Sequence, residues 1–225
     1  MIKKITTKRV NEKSGKITRI EPQKHRRERY NIYINGDFGF GISRELVLKY
    51  NLHEGDMLDE EVIKRIILDE EKRRVKEKAL SLLSYRARST EELRRKLKDK
   101  GFSDAVVCDV VGDLRKIGVL DDIKFAASFV YSRMRQKPMS KRLLYSELIS
   151  KGVDREISQR AVEEFFKEQT EEDVAKEIVK KKVYKYKEID NRVRKRLSDF
   201  LARRGFDWDV INSVVSEIVD AGRER

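Results

Sequence analysis

Ser89-Thr90-Glu91-Glu92-Leu93-Arg94-Arg95-Lys96-Leu97-Lys98-Asp99-Lys100-Gly101-Phe102 is the stretch on which the fold turns. Ser89 and Glu92 have the spacing of a capping box, Leu93 and Leu97 lie one turn apart on one helix face, and Gly101 stands where a left-handed residue ends a helix. The pattern returns twice. Aligned on Gly101, Gly152 and Gly205, leucines recur eight residues earlier (Leu93, Leu144, Leu197) and four residues earlier (Leu97, Leu148, Leu201). Apolar residues recur five later (Val106, Ile157, Val210), nine later (Val110, Ala161, Val214) and thirteen later (Leu114, Phe165, Ile218). Offsets of four and five describe one helix face on each side of a tight turn. Spacings of 51 and 53 residues leave room for one more helix per unit, predicted at 79–85, 125–135 and 174–184. Ser140 holds the offset of Ser89 in the second unit. Val193 holds it in the third, so that middle helix is expected to start near Asp190. Asp122, Thr170 and Asp207 are the expected N-caps of further helices.

The N-terminal stretch reads as β. Strands are expected at 3–10 and 16–21 around a turn at Lys13-Ser14-Gly15. Tyr30, Ile32 and Ile34 alternate, then Asn35-Gly36-Asp37, then Phe38, Phe40 and Ile42 alternate, which is a hairpin. A three-residue loop pairing Ile34 with Phe38, Ile32 with Phe40 and Tyr30 with Ile42 puts all six on one face and is the expected register. A short helix follows Ser43, then the loop His53-Glu54-Gly55-Asp56. From Asp59 a long helix is predicted, with Val62, Ile63, Ile66 and Ile67 on one face. Its charged run at 69–78 reads as a solvated connector. The predicted fold is mainly α: three tandem three-helix repeats in an elongated array (61–120 with the connector, 121–168 and 169–225), preceded by a small β-rich N-terminal domain (1–60).

Composition narrows the function. Charged residues make up 41% of the 225, against roughly 25% in an ordinary globular protein, which calls for a high surface-to-volume ratio. The net charge of +13 is spread along the chain and favours a long polyanion or an acidic protein surface as partner. Cys108 is the one cysteine, so there is no disulfide framework; among Val106, Val107, Val110 and Val111 it reads as a small core residue. With no signal peptide and no apolar run long enough to span a bilayer, a cytoplasmic protein is expected. His25 and His53 are the only histidines, and neither is spaced for a metal site or a triad. His25, within Lys24-His25-Arg26-Arg27, reads as part of an exposed basic loop. No glycine-rich phosphate loop follows a strand, and Asp121-Asp122 is read more simply as a helix N-cap than as a catalytic pair. A non-catalytic binding protein without cofactor or metal is expected.

Several segments, taken in order, resemble a known family. They are Arg88-Ser89-Thr90-Glu91-Glu92-Leu93, Leu97-Lys98-Asp99-Lys100-Gly101-Phe102, Gly118-Val119-Leu120-Asp121-Asp122 with Phe125-Ala126, and Glu147-Leu148-Ile149-Ser150-Lys151-Gly152-Val153. Their order and spacing are similar to those of the RecX regulators of the bacterial RecA recombinase. The resemblance covers 72–166 well and the third unit loosely, with 1–60 outside the shared pattern. It implies a protein that lies in the groove of the RecA–DNA filament, inhibits strand exchange, ATP hydrolysis and co-protease activity, and needs no cofactor. A monomer with weak, sequence-independent binding to single- and double-stranded DNA is the accompanying expectation.

The helical wheel proposes the contact face. With Leu93 and Leu97 inward, Arg94, Arg95 and Lys98 point outward; the third unit similarly offers Arg192, Lys195 and Arg203, and the second Lys141 and Arg142. Lys100, Lys151 and Arg204 suit the carbonyl end of a helix whatever the function. The third helices are acidic, with Asp104, Asp109 and Asp113, then Glu156, Glu163 and Glu164, then Asp207, Asp209, Glu217 and Asp220. That weighs against the alternative of a helix-turn-helix transcription regulator, whose recognition helix must lie beside phosphates. Tyr184 and Tyr186, amid the lysines of 180–187, are candidates to stack on bases, with core packing the equal alternative for Tyr184.

Overall fold

Asn35 and Gly36 both take positive φ, 51° and 91°, and so close the N-terminal hairpin with a two-residue loop. The computed structural model describes residues 14–24, 26–184, 186 and 189–223. The expected strand at 3–10, Lys13 of the expected turn, and His25 lie outside them. Strands β1 (Gly15–Gln23), β2 (Arg26–Ile34) and β3 (Asp37–Ser43) lead to helix α1 (Arg44–Lys49), the short β4 (Met57–Leu58) and the long α2 (Glu60–Tyr85). Then follow α3 (Thr90–Lys98), α4 (Asp104–Lys116), α5 (Asp122–Gln136), α6 (Lys141–Ser150), α7 (Arg155–Phe165), α8 (Glu171–Val183), α9 (Asn191–Ala202) and α10 (Trp208–Arg223). From residue 60 onward the described chain is helical, in three sets of three. The backbone divides into two compact units, one of residues 1–84 and 97–112, the other of 85–96 and 113–225.

In the first unit the antiparallel sheet has the order β3-β2-β1-β4. Ile17, Ile32, Ile34, Phe40 and Ile42 form its buried face, against Leu46, Leu52, Leu58, Ile63 and Ile66. The hairpin register corrects the expectation at its tip. Ile34 pairs with Asp37 and Tyr33 with Phe38; the register then shifts, restoring Ile32 to Phe40 and Tyr30 to Ile42 as expected. Asn-Gly favours the tight loop, and the slip is absorbed at Gly39, where a Cβ would lie 3.1 Å from the Ile32 carbonyl oxygen. Phe38 therefore packs edge-to-face on Tyr33, with ring centroids 6.1 Å apart, and Arg19 covers Tyr33 at 4.3 Å.

Asp59 opens α2, its carboxylate accepting the Val62 N–H at 2.7 Å. The run at 69–78 is helical as predicted, yet it is not simply solvated. Val75 is fully buried and Glu70 is only 5% exposed. The Glu70 carboxylate accepts from the Ser43 N–H at 3.0 Å, from Arg73 Nε at 3.1 Å and from Arg29. Arg29 also donates to the Gly41 carbonyl at 3.0 Å, so the cluster ties β2, β3 and α2 together. Burial alone would push the Glu70 carboxyl up; the hydrogen bond from Arg73 and the charge of Arg29 outweigh it and hold it below the ordinary carboxylate range.

All six aligned leucines are fully buried. Gly101, Gly152 and Gly205 have φ of 84°, 78° and 84°, the left-handed residues expected after a helix. In the second unit a single cluster runs from Phe125 to Val215. Caps at Ser140, Thr170 and Asp190 are where the sequence puts them, and Thr170 forms a complete capping box with Asp173. Ser89 Oγ accepts the Glu92 N–H at 3.0 Å, while the Glu92 carboxylate meets Arg86 and Arg88. Asp121, not Asp122, caps α5, accepting the Ile123 and Lys124 N–H groups at 3.0 Å. Asp122 instead accepts the Thr90 N–H at 2.8 Å and so serves the start of α3. Cys108 is exposed, not a core residue. Val106, Val107, Val110, Val111 and Leu114 fill the inward arc of α4, and residue 108 lies about 130° from its centre.

Candidate functional site

The second unit uses one contact twice. Ser89 Oγ donates to the Lys151 carbonyl, and Arg95 donates to the Ser150 carbonyl at 3.3 Å. A Cβ on Gly152 would come within 2.5 Å of Glu91. One repeat later the Ser140 N–H donates to the Arg204 carbonyl at 3.0 Å, and Arg142 donates to the Gly205 carbonyl at 3.3 Å. A Cβ on Gly205 would meet Ser140 at 2.6 Å and Leu143 at 2.8 Å. The starts of the first and second middle helices thus receive the closing turn of the next middle helix, and the donors satisfy carbonyls at that helix end. These glycines therefore answer both to a positive φ and to a close approach.

This junction consumes part of the predicted basic face. Arg95 and Arg142 are exposed, yet both hold carbonyls of the following repeat, and Arg142 also lies 3.9 Å from Asp207. Arg94 is turned sideways and half-buried, 3.3 Å from Glu91, with its Nε buried and unpartnered among the described residues. Lys98 is exposed and paired with Asp104 at 2.5 Å. Lys141 lies 5.2 Å over the Phe166 ring, and its backbone N–H donates to Glu171 at 2.7 Å. Arg204 is structural: it donates to the Pro138 carbonyl at 2.5 Å and covers Phe200 at 4.6 Å, and burial lowers its pKa.

Along α9 several cations of the third repeat have no ion-pair partner among the described residues. Arg192, Lys195 and Arg203 are exposed, and none forms an ion pair with a described residue. Arg196 is exposed too; it lies one turn beyond Arg192 on the same arc, a spacing from which the sequence could have picked it out. Arg194 donates to Ser216 at 3.0 Å. No acidic residue occupies the first turn of α9. Arg192 lies in the first turn beside the Asp190 cap, and Arg203 stands at the C-cap, where the dipole favours a cation, so the cations span the whole length of α9. The arrangement can bind an anionic group. Among the described residues no three His, Cys, Asp or Glu side chains gather as for a metal, and no helix is long and apolar enough to cross a membrane. Tyr186 packs on the core, whereas Tyr184 is 87% exposed.

Comparison with known proteins matches the N-terminal sheet and each of the three helical repeats. The model of the regulatory protein RecX N-terminal domain matches residues 15–59, and those of the first, second and third RecX three-helix domains match 76–114, 121–162 and 170–215. The match at 15–59 corrects the reading that sets 1–60 outside the shared pattern. The chain is 33% identical over 216 residues to the regulatory protein RecX of Bacillus licheniformis, covering 93% of this chain and 81% of that protein. It is 31% identical over 207 residues to that of Clostridioides difficile, covering 92% and 97%. A crystal structure of a regulatory protein RecX superimposes with a TM-score of 0.65 at 26% identity, covering 88% of this chain and 98% of that one. RecX from Lactobacillus salivarius shares the fold, with a TM-score of 0.58 at 20% identity over 67% of this chain and 97% of that one.

Proposed function

This chain belongs to the RecX family of regulatory proteins, and from that premise we propose that it binds the RecA–DNA filament and inhibits strand exchange, ATPase and co-protease activity without catalysing any reaction itself. The observation that carries the reading is the basic face of α9, whose cations have no ion-pair partner among the described residues. Arg95 and Arg142 are held within the chain, while Arg192, Lys195, Arg196 and Arg203 remain available to an anionic partner. The α9 cations, with the exposed Lys141 of the second repeat, offer several weak contacts on one chain. Each contact after the first is intramolecular, so the set holds a repetitive partner that a single patch would not. The same cations give weak, sequence-independent DNA binding that falls steeply as salt rises. The protein acts as a cytoplasmic monomer without cofactor.

Co-sedimentation with a preformed RecA–ssDNA filament, with naked DNA as control, tests this. The protein should pellet with the filament at salt concentrations that abolish binding to naked DNA, and RecA ATPase should fall in proportion. Equal retention on filament and naked DNA would reject the proposal in favour of a general DNA-binding protein.

A further inference from the structure

We infer that the tyrosines Tyr131 and Tyr184 form a stacking track for an unpaired nucleic-acid strand along α5 and α8. The inference rests on the DNA-binding part of the proposed function and concerns a surface separate from the α9 cations. Both residues stand 21 positions before their repeat's turn glycine, and they are 59% and 87% exposed. The corresponding position in the first repeat is Leu80, which has no π face.

Tyr131 and Phe165 meet edge-to-face with centroids 5.3 Å apart, and both line a groove of about 870 Å³ that includes Arg135, Gln136 and Glu177. Val174 and Glu177 bring α8 to the edge of this groove. Glu177 lies 3.7 Å from Lys181, and Tyr184 follows on the same helix face, about 10 Å beyond Glu177 at 1.5 Å per residue. Lys180 and Lys181 are both exposed, one turn before Tyr184. Arg135, Lys180 and Lys181 against Glu177 leave the track net positive, which suits a phosphate backbone and disfavours an acidic peptide. Exposed rings beside cations offer stacking to any base whose face is free, and a duplex offers none along its length. The track therefore selects single strands by geometry, not by charge.

Fluorescence anisotropy of the full chain at low salt, with a labelled oligo-dT and a duplex hairpin of equal charge, tests the inference. Tyr184→Ala should weaken oligo-dT binding roughly tenfold and the double variant with Tyr131→Ala further, with hairpin binding unchanged. Tyr184→Phe should restore affinity, because the ring and not the hydroxyl does the stacking. Tyr184→Ala touches no core contact, which guards against a folding defect at Tyr131. Unchanged oligo-dT affinity in the double variant, or equal loss on both probes, overturns the inference. Loss of filament co-sedimentation with oligo-dT binding intact also overturns it, assigning the groove to a protein partner. Failure of the wild type to bind oligo-dT would sink the track while leaving the filament proposal to its own co-sedimentation result.

Discussion

Replacing Glu70 tests the cluster that ties the sheet to α2. The carboxylate is almost fully enclosed and receives the Ser43 N–H together with the guanidinium groups of Arg29 and Arg73. Glu70→Ala removes one partner of a buried ion pair and orphans a buried N–H, for which about 3–5 kcal/mol is the usual cost. Arg73 keeps Glu77 as a second partner, and the two arginine side chains are 16% and 18% exposed, so the lower half of that range is expected. Glu70→Gln preserves the shape and removes the charge, which separates electrostatics from packing. The folded-state pKa of Glu70 lies below its ordinary value of 4.5. The unfolded chain therefore binds the proton more readily in acid. The stabilisation is fully present above about pH 4.5 and is lost as pH falls through the lower folded value. Urea unfolding followed by circular dichroism, at pH 7 and through the acid range, measures both effects. A Glu70→Ala cost below about 1 kcal/mol, or a Glu70→Gln variant with the acid limb of the wild type, would refute the assignment of this cluster as the clamp.

The remaining predictions concern the repeats. Gly101→Ala should cost about 1–2 kcal/mol from its φ alone, since nothing among the described residues lies near the added methyl; Gly152→Ala should cost about 1–3 kcal/mol more, because the methyl meets Glu91. Equal urea midpoints for the two variants would contradict the repeated junction. Leu97→Ala, Leu148→Ala and Leu201→Ala, each emptying a fully buried position, should each cost about 2–5 kcal/mol by the same assay. Reversing Arg192, Lys195 and Arg196 to Glu should weaken filament inhibition and reduce the log–log salt slope of DNA binding by about three, with thermal stability unchanged or slightly raised, because carboxylates suit a helix N-terminus. By contrast, reversing Arg94, Arg95 and Lys98 should destabilise the fold in a thermal melt, because Arg95 holds the Ser150 carbonyl and Arg94 is half-buried.

The sequence by itself determined what depends on neighbours a few residues away. The leucines at four-residue spacing, the left-handed glycines and the caps at Ser140, Thr170 and Asp190 follow from helix periodicity and local backbone geometry, so they were legible without coordinates. So was the RecX-like order of the segments. Tertiary structure decided everything that depends on which helix end meets which surface. Asp122 caps α3 rather than its own helix because the two chain segments meet there. Glu70 lies in a charged run that reads as solvated, yet Arg29 and the Ser43 N–H enclose it from strands far away in sequence. The hairpin tip obeys the turn chemistry of Asn-Gly over the hydrophobic alternation, and Gly39 absorbs the difference. The basic face shows the same division. A helical wheel places cations outward on all three middle helices but cannot tell outward from occupied. Two of the three faces receive the turn of the following repeat, whereas among the described residues no such turn meets α9, and its cations are left to a partner.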